Sequence, residues 1–86
     1  MKKISKNSML ILNLIFLNRR KVDGETYCPF SQIEMAKKAG LSITTVNKCI
    51  RHLSDSGYIT KVPNTSRKYE LTEAGRKTVK KRKNSM

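Results

Sequence analysis

Tryptophan is absent from this 86-residue chain, and histidine occurs once, as His52. A single histidine leaves no Ser-His-Asp or Cys-His arrangement to build, and no paired carboxylates fall together among the six acidic residues. His52 follows Arg51 and reads as a flanking residue of a helix. Gly24, Gly40, Gly57 and Gly75 each stand at an expected turn or helix end, so there is no glycine-rich loop to cradle a phosphate. Cys28 and Cys49 lack both C-x-x-C spacing and histidine partners, which excludes a zinc site of the usual kind. Cys49 lies on an apolar stripe and reads as a small buried hydrophobe, while redox sensing at Cys28 is a minor alternative. The nearly apolar run from Met9 to Leu17, broken by Asn13, falls short of the roughly 20 residues that span a bilayer. No small-residue cleavage site of a secretory signal accompanies it. No enzyme, cofactor, metal or membrane role is expected, and a cytoplasmic location is.

What the chain has in excess is positive charge. Its formal net charge is +13, a surplus that repels itself in the folded state and fits a polyanionic partner, nucleic acid first. Residues 1–30 carry +4, 31–56 carry +2, 57–71 carry +2 and 72–86 carry +5. The ends are therefore the most cationic, and the middle is left free to pack. The length bounds the fold to one small domain. It is expected over residues 1–75, with 76–86 a basic, flexible tail.

The first helix is expected from Ser5 or Ser8 to about Arg20, with Arg19, Arg20 and Lys21 at the negative end of its dipole. Leu10, Leu14 and Leu17 give one face, and Ile11 and Ile15 widen it until it nearly wraps the helix. A surface helix needs a single apolar stripe, so this one is expected to be buried on two sides, between other elements or against a second subunit. Asp23-Gly24 supplies a turn, and Tyr27 to Phe30 reads as a short extended piece. Ser31 and Glu34 form an S-x-x-E capping box, with Phe30 and Met35 as the hydrophobic staple across it. A serine cap is typically worth about 1 kcal/mol.

From Gln32 to Arg51 the chain reads as a helix-turn-helix. Small Ala36 sits where two helices cross, Gly40 where the turn needs positive φ, and Leu41 at the corner. Ser42 caps a third helix that runs to about Ser56 and stops at Gly57. Val46, Cys49, Ile50 and Leu53 form its apolar stripe. After Gly57 the period changes to alternation over Tyr58–Val62. Pro63-Asn64-Thr65-Ser66 is a turn cluster, and Arg67–Leu71 is a second strand. Thr72 caps a last, short helix whose cationic remainder has few apolar residues to pack.

Helix, short strand, helix-turn-helix and β-hairpin in that order make an α+β, mostly helical winged helix-turn-helix, with three helices and a two- or three-stranded wing. The segment LSITTVNKCIRHLSDSGYITKV, followed by KYELTEAGRK, resembles the winged helix-turn-helix domains of bacterial transcription regulators, those of the MarR type in particular. The resemblance covers roughly Phe16 to Lys77 and is more specific for the fold than for the subfamily. MarR-type proteins carry long additional helices at both ends for dimerisation and ligand binding. The present length leaves no room for them, so effector sensing is not carried over.

The expected partner is double-stranded DNA, bound by a homodimer formed through the first helix. Ser42 and Thr44 are placed to reach phosphates or bases, Asn47 to pair with adenine, and Lys48 or Arg51 to donate to guanine O6 and N7. Ile43 is placed against a thymine methyl or in simple packing. The wing residues Asn64, Thr65, Ser66, Arg67 and Lys68 are expected on the backbone or in the minor groove. The leading reading is a transcription regulator, a repressor in the first instance. A DNA-binding accessory protein of plasmid or phage replication, partition or recombination is the alternative. A protein-interaction or RNA-binding winged helix is a further one, disfavoured by the cationic outer face of helix three and the lack of aromatic stacking platforms.

Overall fold

The computed structural model describes residues 4–63, 65 and 68–84, with the backbone alone for 80–84. The order of elements is α1 (Lys6–Leu17), β1 (Arg20–Val22), β2 (Glu25–Tyr27), α2 (Gln32–Ala39), α3 (Ile43–Asp55), β3 (Ile59–Lys61), β4 (Tyr69–Leu71) and α4 (Glu73–Asn84). It is an α+β arrangement dominated by helices, with two antiparallel hairpins.

Helix α1 begins where Ser5 accepts the Ser8 N–H on its hydroxyl oxygen, at 3.1 Å. It ends at Leu17, short of the Arg20 expected. Asn18 closes it, donating its own N–H and its side-chain amide to the Leu14 carbonyl at 3.2 and 2.8 Å. Arg19, Arg20 and Lys21 are thus not in its last turn, and Arg20 and Lys21 instead open a hairpin. That hairpin turns at Asp23 and Gly24, both at positive φ (51° and 85°), a geometry matched to the right-handed twist of two-residue hairpins. Val22 pairs with Glu25, Lys21 with Thr26 and Arg20 with Tyr27. The extended piece expected at Tyr27–Phe30 therefore starts sooner, at Glu25. Cys28 forms an isolated bridge to Tyr69, its N–H donating to the Tyr69 carbonyl at 3.2 Å. This bridge ties the first hairpin to the second, where Ile59 pairs with Leu71 and Lys61 with Tyr69.

The helix-turn-helix follows its local signals. The capping box is complete: Glu34 N–H to Ser31 Oγ at 3.2 Å, and Ser31 N–H to Glu34 Oε1 at 3.0 Å. Gly40 ends α2 in the left-handed region (φ 70°), and Leu41 N–H reaches back to the Ala36 carbonyl at 3.0 Å. Ser42 then caps α3.

The core gathers Ile11, Leu12 and Ile15 from α1, Met35 and Ala36 from α2, and Val46, Cys49, Ile50 and Leu53 from α3. Cys28, Ile59, Leu71 and Val79 complete it. Helix α1 lies in the middle, packed by α3, β4, α2 and α4. Its wide apolar face is covered by its own chain, so Ile11 and Ile15 are fully buried, while Leu10 and Leu17 stay exposed. The last helix is longer than the short one expected. Thr72 caps it, accepting the Gly75 N–H at 3.2 Å, and Val79 docks into the core. Gly75 sits against the backbone carbonyl of Tyr58, where a Cβ would overlap the oxygen.

Candidate nucleic-acid interface

Burial of Val46, Cys49, Ile50 and Leu53 leaves the remaining faces of α3 to solvent. Ile43, Thr44, Asn47, Lys48 and Arg51, all named from the sequence, are exposed there together. Ile43 is half exposed, at 50%, which places it outside the core. The Ser42 hydroxyl is engaged locally, accepting the Thr45 N–H at 3.1 Å and donating to Thr45 Oγ1 at 2.9 Å. The hydroxyl proton of Ser42 is thereby spent within the cap. The ion pairs among the described residues, Arg19–Glu70 and Glu73–Lys77, involve no residue of α3. Its cations are therefore not neutralised by these pairs. Asp55 is the acidic exception on the exposed side, one turn beyond Arg51 at the C-terminal end.

The second hairpin follows directly from α3 and packs against it through β3. Gly57 makes the exit at φ 83°, with Tyr58 N–H bonded to the Leu53 carbonyl at 2.9 Å. Beyond Lys61 the ladder continues by one bond, Val62 N–H to Lys68 carbonyl at 2.9 Å. Thr65, named as a contact residue, has its hydroxyl occupied within the loop. It donates to the Val62 carbonyl at 2.6 Å and accepts the Lys68 N–H at 3.3 Å. Lys68 is half-buried at the base of the loop. Asn64, Ser66 and Arg67 lie outside the described residues.

Lys61 on β3 and Arg20 and Lys21 on β1 are exposed cations that the sequence reading did not single out as contacts. Lys61 was read as one of the alternating residues of a strand, and the other two were assigned to a helix end. A further feature lies on the side of α3 that faces the start of α1. There, a cleft of about 250 Å³ is lined by Ser5, Asn7, Ser8, Thr45, Lys48, Cys49 and His52, with no carboxylate among them. Nothing in the sequence signals it, because it exists only where α1 and α3 come side by side.

Residues 29–85 match the family model of the winged helix-turn-helix domain. The chain belongs to the winged helix-turn-helix family. Such domains are typically non-enzymatic and bind DNA. The matched region takes in α2, α3, the β3–β4 hairpin and α4, while α1 and the first hairpin lie ahead of it. No curated protein matches the chain. Among the described residues, no helix of this winged helix-turn-helix protein is long and apolar enough to cross a membrane.

Proposed function

We propose that this winged helix-turn-helix protein is a sequence-specific, duplex-DNA-binding transcription regulator, acting as a repressor by occupying its site. The observation that carries this reading is the face of α3 opposite the buried stripe. It presents Thr44, Asn47 and Arg51 to solvent with no acidic side chain between them. Asn47 would pair with adenine N6 and N7, and Arg51 with guanine O6 and N7, while Ile43 meets a thymine methyl. Ser42 sits where α3 would approach the backbone. Wing residues Asn64, Thr65, Ser66, Arg67 and Lys68 would add contacts to phosphates or the minor groove, fixing orientation without reading sequence. Cations after Val79 supply further diffuse attraction. The likeness of LSITTVNKCIRHLSDSGYITKV to MarR-type regulators supports a regulatory role, and a DNA-binding role implies a cytoplasmic location.

The same reading includes a homodimer. Residues 7–18 carry no charge in a chain of net charge +13, and Leu10 and Leu17 are exposed on that stretch one heptad apart. Two strongly cationic copies can meet there without desolvating a charge.

Selection of bound sequences from a random duplex pool tests the proposal. A palindromic consensus is the expected result, since a two-fold dimer reads two half-sites. Recovery of no enriched sequence would overturn specific regulation.

A further inference from the structure

The cleft beside α3 has the chemistry of an anion seat. Ser5 spends its hydroxyl on the Ser8 N–H, which leaves the N–H groups of Lys6 and Asn7 without a partner among the described residues. They lie at the positive end of the α1 dipole. Ser8 is the buried polar side chain among the described residues, 3% exposed. Its hydroxyl lines the cleft and hydrogen-bonds to no described residue. The opposite wall is a row on α3, Thr45, Lys48, Cys49 and His52, at helical spacing. Donors and one ammonium surround the space, and no carboxylate opposes them.

We infer that this cleft seats a phosphate group of the DNA backbone, with Lys48 as its counter-charge and Ser8 and the Lys6 and Asn7 amides as its donors. The inference rests on the DNA-binding reading above and deepens it. Lys48 stands in two rows of α3 at once: with Thr44 and Arg51 along the exposed face, and with Thr45 and His52 along the cleft. A duplex whose major groove takes the exposed face must carry one of its backbones past the neighbouring cleft. Lys48 is thereby assigned to a phosphate and not to guanine.

The test uses the full chain, the duplex selected from the random pool, a scrambled duplex and inorganic phosphate. Lys48→Met should weaken both duplexes by the same factor, about tenfold, and lower the slope of log affinity against log salt by about 0.9. Ser8→Ala, a small change whose folding is checked by circular dichroism, should weaken both equally by about threefold. In amide NMR spectra the selected duplex should shift Lys6 and Asn7, inorganic phosphate should shift them in the same direction, and Ser8→Ala should diminish both effects. Loss of discrimination in Lys48→Met, with the scrambled duplex bound as before, would overturn the assignment in favour of a base contact. So would a Ser8→Ala chain with unchanged affinities and unchanged Lys6 and Asn7 shifts. Shifts caused by inorganic phosphate but not by the duplex would make the cleft a site for a free phosphoryl compound and overturn its DNA role. A wild-type chain that binds no duplex would overturn the DNA reading itself, a failure visible before any substitution is made.

Discussion

Arg19 and Glu70, 51 positions apart, meet across the two hairpins, with Arg19 Nη1 3.4 Å from Glu70 Oε2. The guanidinium also lies over the Phe16 ring, 4.7 Å from its centroid. Glu70 uses its other oxygen to accept the Leu71 N–H at 2.8 Å. One side chain thus joins the end of α1 to the strand that closes the wing. Both partners are mostly covered, and Arg19 Nε has no hydrogen-bond partner already.

Replacing Glu70 by alanine should therefore cost more than a surface ion pair. It strands a half-buried guanidinium as well as removing an attraction, and a loss of about 1–3 kcal/mol is expected. Glu70→Gln keeps an acceptor for the Leu71 N–H and should lose less. Urea unfolding of the two variants checks the order.

Gly75→Ala should destabilise the protein, against the helical preference. In an exposed helix interior alanine is favoured over glycine by about 1 kcal/mol. Here the added methyl overlaps the carbonyl oxygen of Tyr58. That carbonyl is held by the Thr72 N–H at 3.0 Å, so neither backbone segment can move away cheaply. Thermal unfolding should show a lowered midpoint. A raised one would mean that α4 shifts freely on the wing.

The thiol of Cys28 gives a pH dependence. Burial pushes its pKa above the ordinary 9.0, with the Phe30 backbone hydrogen bond as a smaller opposing effect. The folded state then holds the proton more tightly than the unfolded chain. Its contribution is complete below pH 9.0 and is lost as pH rises through the folded value. Stability measured by urea unfolding should fall above that pH. Cys28→Ala should lower stability at neutral pH through a small cavity, yet show a shallower alkaline decline.

Recognition helix and wing should separate in binding. Asn47→Ala should lose discrimination between selected and scrambled duplexes by about 1–3 kcal/mol if it pairs with adenine. Lys68→Ala should weaken both duplexes alike. Titrations at one fixed salt concentration check this, and the reverse pattern would mean that the wing reads the sequence.

For the dimer, Leu17→Lys and Leu10→Lys should halve the mass seen by light scattering without unfolding the domain, because both side chains are exposed. Ile15→Ala should instead unfold it more easily, by about 2–4 kcal/mol, since Ile15 is fully buried. A monomeric wild-type chain at micromolar concentration would remove the dimer from the proposal.

The helix-turn-helix was legible because its signals are local. Ser31 with Glu34, Gly40 at positive φ and Ser42 each act within one turn of the chain, and the Val46–Leu53 stripe needs only a helical period. The exposure of Thr44, Asn47, Lys48 and Arg51 followed once that stripe was buried. The β1–β2 hairpin was not legible beyond its turn. Its three-residue strands are almost wholly exposed, so no alternation marks them, and Arg19, Arg20 and Lys21 suited a helix C-terminus as well as they suit a strand. The cleft depends on Ser8 and His52, 44 positions apart in the chain, lining one space from two helices. Neither residue has a pattern of its own to announce it.

The central place of α1 has a consequence for the chain as it is made. The helix leaves the ribosome uncharged from residue 7 to 18, and α3 and β4, which cover it, come much later. At about 5–20 residues per second, roughly 3–10 s separate Leu17 from Leu71. Throughout that interval the most apolar segment of the nascent chain has no lasting cover of its own. It is the stretch on which a chaperone would act, and the one through which two unfinished chains would stick together.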